Sequence, residues 1–548
     1  MRSVRGQNFL WAAVAAWLLG AFSVALAQDD TGGWVSHYNG IHNTRRAVDQ
    51  HLGTNWVELW RTPRTGYGGI LASEGLAIYQ NNPADGNQFV AIEIATGQER
   101  WSVVTGATCG NYHAFVGCMA GQRLFLPLSA EGGSGCTYSQ RIECRNLMTG
   151  NLEWTWDSTI YGSVRDLMPP PDAAHGEILA PLSNYLSPGY KDGFNSRMLA
   201  LDGSFSGSGT YTGHTGPWLR ESAPASGQTI SATMAAYERS TGPTPNEWRV
   251  FYHEEHLVNR RWESLRLIDF DFQSFSEDGS LPLSDTTVAA YDWSASFCPL
   301  VVTGDQGLLL ESGGQLRAYD LTTFQESWAI QAILSFGGTT PIPFVLPDAV
   351  VIVDQVDTGT IKAFSPADGT QLWTLVPTAP GHQVGGCVLE GNLILVPLTN
   401  GEIYGLNASG VAYGPLLTEP AISPANLGVI ATNGVFLVST TDELICYKAT
   451  SPLAFGAQPD PVTAGETLTF NAMGGEADRP ALLVVTKVND TPIFKPLLVV
   501  PYLDPNGRWS LGATVPDGLA GLDVTFKFFA AKTPYGVYMS NEKTVRFR

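Results

Sequence analysis

A pattern of one glycine and one tryptophan recurs along the chain and constrains its fold more than any other feature. In "IATGQERW", "MTGNLEW" and "ADGTQLW" the glycine precedes the tryptophan by four residues, and in a fourth copy, "LTTFQESW", a phenylalanine replaces the glycine. The pairs are Gly97 with Trp101, Gly150 with Trp154, Phe324 with Trp328, and Gly369 with Trp373. A small residue lies six positions before the first member of each pair, namely Ala91, Cys144, Ala318 and Ala363. We interpret the shared template as a strand, a turn and a second strand that begins near the tryptophan.

A second motif repeats with a compatible period. The segments "LFLPLS", "ILAPLS" and "ILVPLT" align on Pro127, Pro181 and Pro397, which are 54 and 216 residues apart. The chain also has 59 glycines and 34 prolines but only 15% charged residues. This composition favours many short strands over long amphipathic helices. Strand-built repeats of about 40–55 residues are typical of a β-propeller.

The repeat predicts an all-β protein whose main part is an eight-bladed β-propeller, with seven blades left open as an alternative. The predicted blades are residues 68–103, 114–156, 164–218, 229–293, 297–330, 339–376, 384–416 and 425–449. The last blade is incomplete, and we expect the strand "TNWVELWRT" at 54–62 to complete it. This pairing would close the ring with a strand from each end of the propeller and remove exposed sheet edges.

The tryptophans have a predicted role in this architecture. A blade cannot bury both of its faces alone, so its neighbours must cover it. A flat indole at the start of a strand can lie across the seam to the next blade, and a glycine four residues earlier permits the tight turn that leads into that strand. We therefore predict a blade-docking role for Trp60, Trp101, Trp154, Trp328, Trp373, Gly97, Gly150 and Gly369. The alternative is a set of independent core tryptophans.

The chain divides into three predicted parts. The first, residues 1–27, is a secretory signal peptide, because Arg2 and Arg5 precede an apolar run that ends at "ALA" before Gln28. The alternative for this segment is a retained membrane anchor. Residues 28–450 are the propeller. Residues 452–548 contain short alternating apolar runs separated by turns such as "DPNG", which predicts an immunoglobulin-like β-sandwich rather than a disordered tail.

The net charge and the predicted signal peptide limit the kinds of partner that the protein can bind. The formal net charge is −20, so the chain would repel phosphate backbones and anionic membranes. After the signal peptide no stretch offers the roughly 20 apolar residues that a spanning helix needs. We expect a secreted or periplasmic protein that binds a protein or an envelope polymer, with no transmembrane segment after signal cleavage, and that binds neither nucleic acid nor an anionic membrane.

Four of the seven cysteines fall within 36 residues. In an oxidising compartment Cys136 could pair with Cys144, and Cys109 with Cys118. Sequence alone leaves the pairing open, and an odd number of cysteines leaves at least one thiol. The chain has no Cys-x-x-Cys pair, so a structural zinc site is not expected.

The Gly-x-x-x-Trp repeats and the stretch 33–62 resemble the pyrroloquinoline-quinone (PQQ)-like propeller superfamily over about residues 33–450. The residues of that stretch that fit the family outline are Trp34, Gly40, Asn43, Thr44, Arg45, Asn55, Val57, Leu59 and Trp60. The resemblance implies the propeller fold. It also implies two functional classes, because the family includes quinoprotein dehydrogenases and propellers without a cofactor.

The family's dehydrogenases hold PQQ over a calcium ion, commonly beneath a disulfide between adjacent cysteines, and this chain has no adjacent cysteines. Asp354 and Asp357 could be proposed as calcium ligands, with a solvated turn as the alternative. The segment "HEEH", His253 to His256, is expected on a strand, where residues three apart face opposite sides. We therefore expect a surface pair there rather than a metal site, and we predict no catalytic residue.

Three functional hypotheses follow. The first is an exported, non-catalytic propeller that acts as a binding or scaffold module and uses no cofactor. The second is a PQQ- and calcium-dependent dehydrogenase with a degenerate site. The third is a carbohydrate-active propeller.

Overall fold

The structure is a computed structural model of the 548-residue chain. Between residues 158 and 300 it describes the backbones of strands and Leu167. The described residues are 47, 54–64, 70–81, 87–105, 117–129, 139–157, 163–164, 167, 177–183, 196–202, 209–210, 219–220, 228–230, 235–238, 247–256, 261–271, 284–294, 301–303, 306–310, 314–323, 325–333, 343–354, 360–376, 386–389, 393–407, 410, 412–418, 429–432, 434–440, 442–500, 502–505, 507–533 and 536–548. The predicted signal peptide lies outside them. The described part is all-β and contains no helix, so none in it could cross a bilayer.

Up to residue 451, most of the described strands form antiparallel sheets of consecutive strands. The first sheet is β2 (Ile70–Ser73), β3 (Leu76–Asn81), β4 (Asn87–Glu93) and β5 (Glu99–Thr105). The fifth is β20 (Val301–Thr303), β21 (Gln306–Leu310), β22 (Gln315–Asp320) and β23 (Glu326–Gln331). The sixth is β24 (Phe344–Leu346), β25 (Ala349–Val353), β26 (Ile361–Phe364) and β27 (Gln371–Leu375). The seventh is β28 (Cys387–Leu389), β29 (Leu393–Pro397), β30 (Glu402–Asn407) and β31 (Ala412–Thr418).

The second, third and fourth predicted blades are less regular. The second region contains β6 (Cys118–Ala120), β7 (Arg123–Ser129), β8 (Ser139–Asn146) and β9 (Leu152–Asp157). The third contains β10 (Ser163–Val164), β11 (Glu177–Ser183), β12 (Ser196–Asp202), β13 (Gly209–Thr210) and β14 (Leu219–Arg220). Because Val164 of β10 pairs with Ser139 of β8, these nine strands form one sheet, and the blade count stays a prediction. The fourth region contains β15 (Gln228–Ile230), β16 (Ala235–Glu238), β17 (Glu247–His256), β18 (Arg261–Asp271) and β19 (Ser284–Ser294).

The predicted ring closure is confirmed. The closing sheet consists of β32 (Val429–Thr432), β33 (Val435–Ser439), β34 (Glu443–Ser451) and, at its outer edge, β1 (Thr54–Pro63). Strand β1 pairs with β34 along its whole length, from Thr54 opposite Ser451 to Pro63 opposite Glu443. The first strand of the fold therefore completes the last sheet of the ring.

Consecutive sheets bury their faces against each other. Innermost strands lie side by side, β2 next to β6 and β32, and β28 next to β24 and β32. Short apolar runs such as "AVVIV" in β25 are buried at every position, as expected for strands covered on both faces. One core cluster joins Phe89 and Leu71 of the first sheet to Leu124 of the next, and another joins Val351 of the sixth sheet to Ile394 of the seventh. This is the radial packing that the repeat predicts.

Residues 452–548 form two facing sheets. The smaller is β35 (Ala454–Gln458), β36 (Thr467–Met473) and β39 (Trp509–Thr514), and the larger is, in spatial order, β38 (Thr491–Val500), β37 (Ala481–Val488), β40 (Asp523–Ala531) and β41 (Val537–Arg546). Phe455 and Phe470 of the smaller sheet pack against Phe526 and Phe528 of the larger in one core. The unit is a small β-sandwich, and its immunoglobulin-like character stays a prediction.

Candidate functional site

Four tryptophans, Trp60, Trp101, Trp328 and Trp373, each lie over a glycine of the following sheet. A Cβ built on Gly97 would come 2.5 Å from Cγ of Trp60, and one on Gly150 would come 2.7 Å from Cδ2 of Trp101. The same relation holds between Trp328 and Gly369, and between Trp373 and Gly410. The sequence pattern linked each glycine to the tryptophan four residues after it, whereas the contact is to the tryptophan one sheet earlier. Gly410 was missed because no tryptophan follows it at that spacing.

The indole N–H groups cross the same seams. Trp60 Nε1 donates to the Ile94 carbonyl at 2.7 Å, Trp101 Nε1 to the Leu147 carbonyl at 2.8 Å, and Trp328 Nε1 to the Pro366 carbonyl at 2.9 Å. Each acceptor belongs to the turn that contains the contacted glycine. Each of these three tryptophans thus contacts the following sheet both by ring packing and by a hydrogen bond. That these contacts hold the blades together stays a prediction, which the variants proposed below test.

The small residue of the template lies directly opposite the tryptophan in the strand pairing. Ala91 pairs with Trp101 and Ala318 with Trp328, and the same is true of Cys144 with Trp154 and Ala363 with Trp373. The closing sheet follows the rule with Cys446 opposite Trp60. Sequence reasoning missed Cys446, because its tryptophan comes from a strand almost four hundred residues earlier.

The structure describes two of the four cysteines of the predicted disulfides. Cys144 carries a free thiol, and its side chain is buried with Phe125 and Trp154, so the suggested bridge from Cys144 to Cys136 is not formed. The physical reason is its place opposite the indole, inside the seam. Cys118 is buried in the same cluster, while Cys109 and Cys136 lie outside the described residues. The pairing of Cys109 with Cys118 stays a prediction.

Of the residues named as metal candidates, the structure describes Asp354 and the backbones of His253 and His256. Asp354 is buried and accepts a hydrogen bond from Lys362 Nζ at 2.9 Å, and Asp357 lies outside the described residues. His253 and His256 lie on β17, which confirms the predicted strand. Across the described ranges, no group of three or more His, Cys, Asp or Glu residues could hold a metal ion.

The residues of the innermost strands can be compared with the ligands that a quinone cofactor and its calcium ion need. Where side chains are described, these strands carry buried apolar residues, as in "FVL" of β24, "CVL" of β28 and "VIAT" of β32. PQQ over calcium needs carboxylate and amide oxygens that converge on the ion. The described residues of these strands do not fit that requirement.

The chain ahead of β1 reaches the innermost strand of the seventh sheet. The backbone N–H of Ala47 donates to the Val388 carbonyl of β28 at 2.8 Å, and Ala47 is almost fully buried among residues of the closing and seventh sheets. The sequence pattern gave no sign of this contact, because the segment before Thr54 lacks the repeat.

A buried arginine joins the closing sheet to the first. Arg64 is 1% exposed, its Nη1 donates to Ser439 Oγ at 2.7 Å, and its guanidinium lies over the ring of Tyr79. Burial lowers the pKa of Arg64 to about 10, so the group stays protonated at neutral pH. Arg64 thus contacts the closing sheet through Ser439 and the first sheet through Tyr79.

A groove of about 630 Å³ opens at the same seam, at the end opposite Arg64. Its floor includes Ile94 and Val435, which are buried, and the exposed Leu59 of β1. Glu74 and Lys448 line it as well, and both are exposed. The groove therefore combines an apolar floor with one charge of each sign.

The larger sheet of the sandwich has an apolar outer face. Val499, Leu482, Phe529 and Met539 lie directly opposite one another across its four strands. Val499 is 69% exposed and Met539 is 48% exposed. Phe494, 68% exposed, contacts the Phe529 ring edge-on at a centroid distance of 6.2 Å. We call these five residues the outer apolar face.

Comparisons with known proteins agree with the fold. A protein-family model described as "Outer membrane protein assembly factor BamB" matches residues 262–413. No curated protein matches the chain by sequence. The quinohemoprotein alcohol dehydrogenase from Comamonas testosteroni is similar in structure, with a TM-score of 0.53, 12% identity, and coverage of 81% of this chain and 84% of that chain.

Two further solved structures are similar at lower scores. A europium-containing methanol dehydrogenase has a TM-score of 0.49 and 11% identity, with coverage of 79% of this chain and 91% of that chain. BamB from Moraxella catarrhalis has a TM-score of 0.33 and 16% identity, with coverage of 71% and 85%. The family match, together with the fold, confirms the resemblance of the propeller to the PQQ-like superfamily.

Proposed function

We propose that the chain is an exported, non-catalytic PQQ-like propeller that binds another protein through the outer apolar face of its sandwich. The observation that carries the proposal is the row formed by Val499, Leu482, Phe529 and Met539 across all four strands. Contiguous exposed apolar patches of this kind mark sites of protein interaction.

The face, rather than the edge, of this sheet is the binding element. Strand β38 is the outer strand of its sheet and contains Pro492 and Pro496. Proline has no backbone N–H, so it weakens the template that an edge strand offers to a further strand. The apolar side chains on the face remain available to a partner.

Charge separates the sandwich from the propeller. Residues 452–548 contain nine acidic and nine basic side chains, whereas the whole chain contains 51 acidic and 31 basic side chains. Binding at the neutral sandwich therefore avoids the repulsion that the acidic propeller exerts on other acidic proteins. We expect an association driven by apolar burial and only weakly dependent on salt.

The family description supports a role in binding. The matched family is named for an outer membrane protein assembly factor, which is a statement about that family. It agrees with a propeller that works by contact with other proteins in the cell envelope.

Site-specific photo-crosslinking tests the proposal. A photoreactive amino acid at Val499 of residues 28–548 should give a discrete crosslinked species in envelope extract of the native host. The same residue at Arg508, an exposed position on the sandwich outside the outer apolar face, is the control. The double variant F494S/M539S should remove the Val499 crosslink, and a crosslink that survives in this variant would contradict the proposal.

The non-catalytic part of the proposal has its own test. PQQ and calcium are added together and separately to the same protein, and the melting temperature is measured. A ligand that binds the native state raises this temperature by mass action. We expect no saturable rise, and a rise that requires both ligands would favour the dehydrogenase hypothesis.

A further inference from the structure

We infer that the groove between the closing sheet and the first sheet is a second binding site, for a peptide segment with an apolar side chain between a basic and an acidic residue. The inference rests on the proposed function only in taking a protein as the partner. It concerns different residues, which belong to the propeller, whereas the outer apolar face belongs to the sandwich.

The shape and floor of the groove suit a side chain. Its volume of about 630 Å³ lies within the range of roughly 300–1,000 Å³ that is usual for ligand sites. Ile94 and Val435 form an apolar floor, and Leu59 extends it toward solvent although nothing among the described residues covers it. An aliphatic side chain placed there would bury apolar surface on both partners.

Several charged residues of the same two sheets are paired with one another. Outside the groove, Arg61 of β1 is paired with Glu58 and Glu443, and Arg100 of the first sheet is paired with Glu93. These pairs neutralise five charged side chains of the two sheets.

Glu74 and Lys448 are the charged residues of the groove itself. Within the part of the chain that the structure describes, neither makes an ion pair, although both line the same groove. Glu74 belongs to the first sheet and Lys448 to the closing sheet, so they present opposite charges from opposite walls. A segment with a basic residue on one side of its apolar side chain and an acidic residue on the other complements both.

The backbone at Glu74 gives an independent indication. Glu74 and Gly75 form the two-residue turn between β2 and β3, with φ of +51° and +76°. Turns of this kind favour Asn-Gly or Asp-Gly, because a longer side chain is strained at positive φ. The corresponding turn of the closing sheet reads Asn433-Gly434 in the sequence. The chain thus keeps a strained glutamate in the groove, as is common where a residue serves binding.

Synthetic peptides test the inference without the natural partner. The probes are fluorescein-labelled pentapeptides with leucine at the centre, serine on each side, and lysine and glutamate at the two ends in both orders. Versions with glutamine at both ends, or with glycine at the centre, are the controls. Binding to residues 28–548 is measured by fluorescence anisotropy. We expect one order of the charged peptide to bind, and both control peptides to bind more weakly.

Variants locate the binding. Glu74→Asn and Lys448→Gln should each weaken binding of the charged peptide about threefold, which corresponds to one exposed charge pair. The matched controls Asp517→Asn and Arg508→Gln change exposed charges on the sandwich and should leave binding unchanged. Glu74→Asn should also raise the melting temperature, because asparagine relieves the turn. Weaker binding in a more stable protein separates a binding role from damage to the fold.

Two results would overturn the inference. One is that no charged peptide binds more tightly than the glutamine version. The other is that the groove variants and the sandwich variants have equal effects. Neither result bears on the Val499 crosslink, so the two proposals can fail separately.

Discussion

The indole of Trp101 lies against Gly150 of the next sheet, so closely that a Cβ at position 150 would come 2.7 Å from the ring atom Cδ2. Gly150 is also held at a φ of +70°, where its N–H donates to the Asn146 carbonyl at 2.8 Å to close the turn. Two requirements therefore meet at one position, a left-handed backbone and space for the neighbouring ring. The contact links successive sheets, and Trp60, Trp328 and Trp373 pack on a glycine of the following sheet in the same way.

Replacing Gly150 by alanine should destabilise the propeller by about 3 kcal/mol. Positive φ costs an alanine about 1 kcal/mol, and overpacking against the Trp101 ring adds about 1–3 kcal/mol. The control is Gly434→Ala, because Gly434 has a φ of +76° but a Cβ there would meet nothing within 4 Å. The free energy of unfolding in urea is compared for the two variants. Equal losses would mean that the seam contact adds nothing to the backbone effect.

The Trp101 hydrogen bond can be tested separately from its ring. Trp101→Phe keeps an aromatic ring in the seam but removes the donor to the Leu147 carbonyl, so we expect a loss of about 1 kcal/mol. Trp101→Ala should cost about 3–5 kcal/mol because it leaves a cavity. Trp509→Phe in the sandwich is the control, since Trp509 stacks on Phe528 and its Nε1 has no hydrogen bond among the described residues. A Trp101→Phe loss no larger than that of Trp509→Phe would show that the seam bond is not stabilising.

The repeat spacing was sufficient to predict where most sheets lie. The glycine, the tryptophan and the small residue each have a set place in a sheet, so their recurrence locates the turn and the outer two strands. The closure of the ring by residues 54–62 followed from one incomplete repeat and one leftover strand, and β1 pairs with β34 as expected. These predictions rest on contacts within a repeat, which a linear pattern can record.

Contacts between repeats were harder to predict. The spacing within one copy gives no direct sign that Trp373 packs on Gly410, which lacks its own tryptophan. The groove was missed for the same reason, since its walls come from residues 59, 74, 94, 435 and 448. The outer apolar face was missed because alternation predicts a strand with two faces but not which face is covered. Cys144 was suggested as a disulfide partner from its distance along the chain, while its packing against Trp154 depends on the neighbouring strand.

Cys144 and Cys446 should be unreactive in the native protein. Burial raises the pKa of each thiol from 9.0 to about 12, with a further contribution from Glu153 at Cys144, and the thiolate is the reactive form. Iodoacetamide at pH 8 should label both after unfolding but neither before, as counted by peptide mass spectrometry. Rapid labelling of either residue in the folded chain would contradict its burial in the seam.

The same thiols should make the protein sensitive to alkali. Their folded pKa lies above the unfolded value, so their contribution to stability is complete below about pH 9 and is lost as pH rises toward 12. The double variant C144A/C446A should lose this part of the alkaline destabilisation. It should still fold, because alanine takes the same place opposite the tryptophan at positions 91, 318 and 363. The melting temperature from pH 8 to 11 measures the effect, and identical profiles for the variant and the natural chain would refute it.

Asp460 should stabilise the sandwich through a buried ion pair. Its carboxylate accepts hydrogen bonds from Lys543 Nζ at 3.1 Å and from Arg546 Nε at 3.0 Å, and Asp460 and Lys543 side chains are each 8% exposed. Burial alone would raise the pKa of Asp460, but the Lys543 charge and the bonds from Arg546 outweigh it and lower the pKa. Because the folded pKa is depressed, this stabilisation is present above the unfolded value near 3.8 and is lost as pH falls through the folded pKa.

Asp460→Asn should therefore cost about 3 kcal/mol at pH 7, since it leaves the Lys543 ammonium buried without its counter-charge. The variant should also lose part of the acid-induced destabilisation of the natural chain below pH 4. Asp523→Asn is the matched control, because Asp523 meets Arg548 at an exposed pair and its loss should cost less than about 1 kcal/mol. Thermal unfolding of the three proteins between pH 2 and 7 separates the two cases. If Asp460→Asn follows the same pH profile as Asp523→Asn, the buried pair does not stabilise the sandwich.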